Sequence, residues 1–384
     1  MKMNFSTRII LCAAGLMISG TCVAEHGPPL SHTVVYRESG RFGGWPANHG
    51  IWSWGNEIVV GFRSAHFKVM PVGHARDPQQ PEDEYQARSL DGGKSWTVEK
   101  PRELVRPENG GPAPVDSPGG IDFTDPNFAL MFRASGNTRL SRFYYSTDRC
   151  RTWKGPYNFP LLGQPRIMAR TDYLVESKNE LSVFLTAAKA NDKEGHVFLA
   201  RTSDGGKTWK FISWIGPEPQ GFSIMPGSLR LSNTRILTTI RRKEGDKHWI
   251  EAWTTDDNGA NWQFLNRPVP STGGSSGNPP SLLQLKDGRL ALIYGYRSPP
   301  YGMRARISTD KGLSWSEELT LRDDGGCWDL GYPRSVQRPD GKIVSVYYYN
   351  DNPNTERYIA ATIWDPGRWK ELQLTSNRGA TAKQ

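Results

Sequence analysis

An eight-residue box that begins with Ser or Thr and ends with Trp occurs five times in this chain of 384 residues. Every copy has Asp at its third position, and four of the five have Gly at the fifth. The Asp residues stand at positions 91, 148, 204, 257 and 310, so successive copies are 57, 56, 53 and 53 residues apart. A near-constant period of this length indicates a repeat protein in which each copy belongs to one structural unit.

The residue types of the box explain what it does locally. Asp and Ser or Thr side chains form hydrogen bonds to nearby backbone N–H groups and so stabilise a turn. Gly tolerates the positive φ that tight turns need, and a Trp that packs back over the turn buries a large area. A calcium-binding loop is the alternative, but the box lacks the closing Glu and enough carboxylates. We therefore interpret the five Asp residues as structural.

Strand-like segments flank each box and predict the fold. Each unit of about 55 residues has room for about four strands, which is the size of one propeller blade. The chain is therefore predicted to be all-β, a six-bladed β-propeller. The sixth unit, at about 320–366, lacks the box, and residues 32–36 are predicted to close the ring onto residues 358–363. A solenoid would need open capping ends, which the sequence does not show.

The first 24 residues have the features of a secretory signal peptide. Lys2 and Arg8 precede a short apolar run at 9–18, and small residues allow cleavage after Ala24. With the signal peptide removed, residues 25–384 would be a single propeller domain, secreted or periplasmic. A buried N-terminal helix is the alternative interpretation of the first 24 residues. No other apolar run approaches membrane-spanning length.

Composition limits the partners of the domain. The net charge is +9, and it is spread along the chain without a long Lys/Arg run, so a nucleic-acid partner is not expected. An anionic small molecule in a basic cleft fits the charge better. The 7 His residues are dispersed, so neither a metal site nor any other cofactor is predicted.

The repeated box on a count of six blades resembles the Asp-box sialidases, or neuraminidases, along the whole mature chain. The resemblance implies an acidic glycan as substrate, a sialic acid first of all. Three arginines would bind its carboxylate through charge-assisted bonds. Because an anionic nucleophile would be repelled by that carboxylate, a Tyr attacks instead. A Glu would remove the Tyr proton, and an Asp would protonate the leaving oxygen.

The resemblance carries these roles to positions of this chain. The segment Asp329–Val336 is similar to the family's nucleophile segment, and Asp77 lies 12 residues before the first box, where the family has its acid. The implied catalytic residues are the nucleophile Tyr332, the acid/base Asp77 and the arginines Arg41, Arg241 and Arg304. The implied substrate-binding residues are Arg63, Asp125, Asp172 and Arg297. The Trp residues near these segments that could contact a ligand are Trp45, Trp52, Trp54 and Trp328.

The sequence departs from the family pattern at one position. Met225 stands where the family has the Glu that activates the nucleophile, and Met cannot act as a base. Asp172 or Asp329 could replace that base. The departure leaves two alternatives to a sialidase. One is a relative that cleaves another acidic sugar by hydrolysis or elimination, and the other is a carbohydrate-binding propeller without turnover.

Overall fold

The computed structural model describes residues 30–134 and 140–371, which form 24 β-strands in six antiparallel sheets. The sheets are the six blades of a β-propeller, so the predicted fold is confirmed. The predicted signal peptide lies outside the described residues. No described helix is both long and apolar enough to cross a membrane.

The first three blades span about the first half of the chain. Blade 1 contains β2 (Arg41–Gly44), β3 (Ile51–Trp54), β4 (Glu57–His66), β5 (Asp83–Ser89) and β6 (Thr97–Glu99). Blade 2 contains β7 (Ala129–Ala134), β8 (Ser141–Ser146) and β9 (Lys154–Phe159). Blade 3 contains β10 (Tyr173–Val175), β11 (Leu181–Ala188), β12 (Glu194–Thr202) and β13 (Lys210–Trp214). In blade 1 both β2 and β3 pair with β4, because a short 3-10 helix at Pro46–Asn48 interrupts the inner strand.

The last three blades each have a regular meander. Blade 4 contains β14 (Phe222–Arg230), β15 (Ile236–Glu244), β16 (Lys247–Thr255) and β17 (Gln263–Val269). Blade 5 contains β18 (Ser281–Gln284), β19 (Leu290–Tyr296), β20 (Gly302–Ser308) and β21 (Leu319–Arg322). Blade 6 contains β22 (Gly331–Gln337), β23 (Ile343–Tyr349) and β24 (Tyr358–Trp364), completed by β1 (Leu30–Tyr36). Further 3-10 turns lie at Arg102–Leu104, Pro107–Asn109 and Pro366–Arg368.

The N-terminal strand closes the ring. β1 pairs antiparallel with β24, from Leu30 opposite Trp364 to Tyr36 opposite Ile359, as the sequence predicts. This closure explains why blade 6 has no box. In the other blades the box connects the last two strands, whereas in blade 6 the last two strands come from opposite ends of the chain.

The boxes have the predicted hydrogen bonds, which blade 3 illustrates. Asp204 accepts bonds from the backbone N–H of Thr208 at 2.9 Å and from its hydroxyl at 2.6 Å. Thr202 donates to Asp204 at 2.8 Å and accepts from the backbone of Gly206, whose φ is 83°. These bonds stabilise the charged form of the carboxylate, and the pKa of Asp204 is lowered even though partial burial acts in the opposite direction.

The box Trp residues do more than cover their own turn. Trp209 of blade 3 packs against three Phe rings of blade 2, with ring centroids 5.1–6.0 Å apart; these are Phe159, Phe143 and Phe132. Trp153 of blade 2 contacts Trp52 of blade 1 at 5.4 Å. Each of these Trp residues therefore joins its blade to the preceding one, and the box stabilises the ring as well as the hairpin.

Candidate functional site

A cavity of about 580 Å³ opens at the end of the propeller opposite the boxes. Its lining comes from the start of the inner strands, from the loops between the second and third strands, and from the loops that lead into the next blade. Antiparallel strands reverse at each connection, so all of these segments meet at one end of the channel. Binding residues collect at such loop ends because a rigid scaffold positions them.

Tyr332, at the start of β22, faces this cavity. Arg241 on β15 donates a hydrogen bond to its hydroxyl at 2.9 Å, and the Arg297 guanidinium lies 5.4 Å from its ring centroid. Burial raises the pKa of the phenol, but the positive charges of three neighbours outweigh this effect, so the pKa lies below its usual value. These neighbours are Arg241, Arg297 and Arg170. The arrangement favours the phenolate, which is the nucleophilic form.

The inner strands present their cavity residues through a repeated bulge. Trp45, Met225 and Tyr332 each precede a proline and have φ values of 61°, 54° and 54°. In β14 and β22 the pairing register shifts at this point. Positive φ is rare for residues other than Gly, and strained backbone of this kind clusters at functional sites.

Met225, the position at which the sialidase resemblance predicts a base, shares the contact with Arg241 that Tyr332 makes. Its sulfur lies 3.5 Å from Nη1 of Arg241, which also binds the Tyr332 hydroxyl. Arg241 therefore acidifies Tyr332 without a carboxylate partner of its own, since its remaining bonds go to the Ser276 carbonyl at 2.6 and 3.1 Å.

A His–Asp pair stands on the other side of Tyr332. The His74 ring lies in the cavity wall, edge-to-face with Tyr332 at 6.2 Å between centroids. Its Nδ1 bonds Asp329 at 2.6 Å, which leaves Nε2 for proton transfer. Burial lowers the pKa of His74, and Asp329 opposes that effect without cancelling it. Arg357 and the backbone of Ala75 hold the same carboxylate, both at 3.0 Å.

The opposite wall is a cluster of guanidinium groups. Arg63 and Arg133 bind Oε1 of the buried Glu84 at 3.1 and 2.8 Å. Glu82 binds Arg63 at 2.6 Å and Arg106 at 3.1 Å. Burial lowers the pKa of Arg133 to about 10, yet the group stays charged at neutral pH. The five Arg residues of the cavity wall are Arg63, Arg76, Arg106, Arg133 and Arg170.

Carboxylates of the wall only partly balance this charge. Glu82 and Glu108 line the cavity and Glu84 lies behind it, which makes three carboxylates against five guanidinium groups. The cavity is therefore suited to an anionic ligand. Within the described ranges no group of three or more His, Cys, Asp or Glu residues could hold a metal ion.

The comparisons with known proteins agree with this architecture. The model of the BNR repeat-like domain family matches residues 129–345, more than half of the chain. The chain belongs to this BNR-repeat, sialidase-like family. The predicted resemblance is thus confirmed. A search of curated proteins finds no significant match.

Solved structures support the same propeller fold. A Dyadobacter fermentans protein of unknown function is 23% identical with a TM-score of 0.66, and the match covers 88% of this chain and 99% of that one. A sialidase from Streptococcus pneumoniae is 12% identical with a TM-score of 0.58, covering 89% and 71%. An alpha-L-arabinofuranosidase from Fusarium graminearum is 12% identical with a TM-score of 0.59, covering 88% and 99%. At these identities the likeness shows the fold alone.

Four of the residues implied by the sialidase resemblance meet in this BNR-repeat propeller. Tyr332 and Arg63 line the cavity, and Arg241 and Arg297 contact Tyr332 from behind. Trp45 also lines it, and Trp328 lies 5.9 Å from the His74 ring.

The structure does not bring Arg41 and Arg304 to the cavity, so the predicted trio with Arg241 does not converge. Arg41 binds Ser64 at 2.9 Å and Asp83 at 2.8 Å near the rim of blade 1. Arg304 lies on the third strand of blade 5, where its guanidinium bonds the carbonyls of Met303, Arg322 and Pro300 and pairs with Glu318. Arg133 near the end of β7 and Arg170 in the segment before β10 line the cavity instead.

Asp77 also points away from the cavity. Its carboxylate bonds Lys68 at 3.3 Å and the backbone of Gln79 at 3.1 Å, while its neighbour Arg76 enters the cavity wall. The Gln79 bond and Lys68 lower the pKa of Asp77. Three other titratable residues of this loop, His74, Arg76 and Glu82, line the cavity.

Asp125 and Asp172 lie elsewhere in the propeller. Asp125 caps a turn before β7 by accepting from the backbone of Asn127 at 2.7 Å, beside the box of blade 2. Asp172 is buried deeper in the channel, where it accepts from the Ser228 hydroxyl at 2.8 Å. Burial raises the pKa of Asp172 to about 7. Neither residue is placed to replace the missing base at Tyr332.

The sequence interpretation missed most of the guanidinium wall. Arg133 lies one residue before the end of β7, Arg63 and Arg241 lie three residues before the ends of β4 and β15, and Arg297 directly follows β19. An Arg near the end of the strand that precedes the box strand is therefore the signal that could have found Arg133. The sequence contains no comparable signal for Glu82 and Glu84, which bind these arginines.

Proposed function

We propose that this protein is a glycoside hydrolase that removes a terminal carboxylated sugar, with sialic acid as the leading substrate. The observation that carries the proposal is Tyr332, a cavity residue whose phenol is hydrogen-bonded and acidified by arginine. The sialidase-type fold of its structural neighbours supports the same reaction class. The predicted signal peptide makes an exported enzyme part of the proposal.

The guanidinium wall supports a carboxylated sugar as the substrate class. A sugar whose carboxylate adjoins the anomeric carbon needs cations to bind it and a nucleophile that does not repel it. Arg170 and Arg133 supply the cations next to Tyr332 in the cavity. Because Glu84 holds Arg63 and Arg133 in place, their guanidinium groups are pre-organised for the substrate.

The reaction follows from the two sides of the cavity. The Tyr332 oxygen forms a bond to the anomeric carbon, the bond to the leaving oxygen breaks, and His74 gives that oxygen a proton. Water then attacks the anomeric carbon, gives its proton to His74 and releases the tyrosine. Asp329 fixes Nδ1 of His74, so Nε2 is the atom that transfers protons in both steps.

Replacing the nucleophile tests the proposal. We expect Tyr332→Phe to lower kcat on a fluorogenic sialic acid glycoside by about 10³-fold or more, because the attacking oxygen is absent. Tyr145→Phe is the matched control, since Tyr145 is half-buried on blade 2 and stacks on Tyr157. Full activity in Tyr332→Phe would rule out the nucleophile. Saturable binding without turnover in the wild type would make the protein a lectin.

Elimination is the second candidate reaction. Met225 leaves Tyr332 without a carboxylate base, and a Tyr with a nearby His is sufficient to remove a proton α to a carboxylate and protonate the leaving group. Arginines that neutralise the carboxylate of a uronic acid would acidify that proton. The two reactions are separated by their products, because elimination creates a conjugated double bond with ultraviolet absorbance and hydrolysis does not.

A further inference from the structure

A second cavity, of about 780 Å³, lies between blades 4 and 5. It is formed by the turn between β15 and β16, by the segment that follows β17, and by Ser298 after β19. β15 ends three residues after Arg241, which contacts Tyr332 of the first cavity, and its turn to β16 follows directly. The connections that form the second cavity therefore lie at the same end of the propeller as the first cavity. The second cavity is thus farther from the channel on the same face.

His248 lines this cavity, and its two ring nitrogens make no hydrogen bond to the described residues. The residue is only 7% exposed. The Gly273 backbone is near enough to raise the pKa of the ring, but it does not meet the geometry of a hydrogen bond. Buried polar groups without partners are rare, and His248 has both ring nitrogens in this state, which a ligand or an ordered water would satisfy.

Blade 3 offers an internal comparison. His196, near the start of the third strand of that blade, bonds the Gly216 carbonyl at 3.0 Å and stacks on Trp214 at 4.2 Å. His248, near the start of the third strand of blade 4, has no such partner. The same region of the fold can therefore satisfy a His ring, and in blade 4 it does not.

Two cations and two carboxylates line the second cavity, but the largest charge effects at the His248 ring come from the cations Lys243 and Arg241. Lys247 and Arg267 are exposed at the cavity, and Arg267 lies over the Trp249 ring at 4.9 Å. Burial is the first cause that lowers the pKa of His248, and the charges of Lys243 and Arg241 follow. Glu244 and Asp246 in the turn and Lys247 beside it face the same space. An anionic group on the ring would meet a hydrogen-bond donor in a positive potential.

One segment connects the two cavities. The residues 271–278 lie between His248 and the arginines of the first site. Thr272 donates to the His248 carbonyl and accepts from the Arg297 backbone, both at 2.9 Å. Ser276 accepts from Arg241 at 2.6 Å through its carbonyl. A ligand in the second cavity therefore contacts the segment that positions Arg241 and Arg297.

We propose that the second cavity binds a further anionic group, a carboxylate or sulfate, of the same glycan chain that the first cavity cleaves. The inference rests on the proposed function and makes its substrate a chain of repeating acidic sugars. His248 donates to the anionic oxygen, and the positive charges of Lys243 and Arg241 favour an anion at the ring.

Chain length is the measured variable. Calorimetric titrations of Tyr332→Phe would use monomers and oligomers of sialic acid, of hexuronic acid and of a sulfated hexuronic acid. We expect an oligomer of at least one series to bind about tenfold more tightly than its monomer, the size of one charged hydrogen bond. The series with this advantage identifies the source of the anionic group. Absence of a length advantage in all series would overturn the proposal.

His248→Leu, combined with Tyr332→Phe, tests the residue itself. It should abolish the length advantage and leave monomer binding unchanged, while His196→Leu in the same background retains the advantage. The melting temperature gives a second readout. Because Leu removes unpaired polar atoms, His248→Leu alone should melt no lower than the wild type. Retained length advantage in His248→Leu would refute the site.

The proposal and the proposed function can fail separately. If the wild type shows no turnover but the length advantage depends on His248, the second site stands and the enzyme activity does not. If turnover occurs and the advantage is absent, the activity stands and the second site is refuted.

Discussion

Tyr332 and His74 meet across the cavity with opposite electrostatic surroundings. Tyr332 faces guanidinium groups, which lower its pKa despite burial. His74 binds Asp329, whose own pKa is lowered by the His74 bond and by Arg357 although burial acts to raise it. The site thus places a phenol whose pKa is lowered by cations beside an imidazole whose pKa is lowered by burial and only partly restored by Asp329.

Asp329→Asn tests this pairing at the level of the single residue. Asp329 opposes the lowering of the His74 pKa, so its loss lowers that pKa further. Activity that needs protonated His74 should then be lost at a lower pH, and the alkaline limb of kcat/KM should move toward acid. We also expect kcat to fall about 10²-fold. The measurement is the pH profile on the substrate that the wild type cleaves.

The control for Asp329→Asn is Asp287→Asn, an exposed carboxylate that bonds Arg289 in the blade 5 turn at 2.6 Å. Its profile should match the wild type. A reduced kcat in Asp329→Asn with an unmoved alkaline limb would mean that Asp329 acts only through the fold, by holding Arg357 and the loop at Ala75.

The repeated box stabilises the structure in two ways, within its own hairpin turn and at the contact between neighbouring blades. Its carboxylate satisfies backbone donors of one turn, whereas its Trp packs on the neighbouring blade. A substitution that disrupts one box should therefore destabilise both its hairpin and the contact between its blade and the neighbouring blade.

Asp204→Ala should lower the free energy of unfolding by about 0.5–1.5 kcal/mol, because water replaces the carboxylate at the exposed backbone donors of the blade 3 turn. Urea unfolding measures the change. Asp256→Ala is the matched control, since Asp256 lies in a box, pairs only with Arg235 at the surface and should cost little. Equal losses in the two variants would contradict the role of the box carboxylate.

Protonation of a box carboxylate at low pH should lower the stability of the protein, as the substitution of a box Asp does. The folded pKa of Asp257 is lowered to about 2 by bonds from Asn261 and Thr255. A carboxylate whose folded pKa is lowered contributes stability that is present above its unfolded pKa of about 3.9 and is lost as the pH falls through the folded value. The contribution of this box should thus disappear between about pH 4 and pH 2.

At the scale of the whole molecule, closure of the ring depends on seven residues from the N-terminal side. β1 covers the edge of β24, and Val35 and Tyr36 enter the core shared by blades 6 and 1. A propeller without this strand would expose an unpaired edge, which is a template for association with other chains.

A chain that begins at residue 38 should therefore unfold at a lower temperature and aggregate, compared with a chain that begins at Glu25. Thermal melting followed by light scattering measures both effects. Supplying β1 as a separate peptide should restore part of the loss, because the edge of β24 pairs through its backbone. An unchanged melting temperature in the shorter chain would show that closure does not limit stability.

The sequence alone determined the number of blades, the position of each box and the strand that closes the ring. It could do so because period, turn chemistry and strand pattern are local properties that repeat. The family resemblance also singled out Tyr332, Arg241 and Met225, and the structure brings these three side chains together.

The tertiary structure alone decided which of the candidate side chains face the cavity. Asp77 and His74 lie three residues apart in one loop, and only the path of that loop turns His74 inward and Asp77 toward Lys68. Arg41 and Arg304 bind partners within their own blades, whereas Arg133 and Arg170 reach the channel. The site is assembled from blades that are distant in sequence, so its membership depends on long-range packing that no local pattern records.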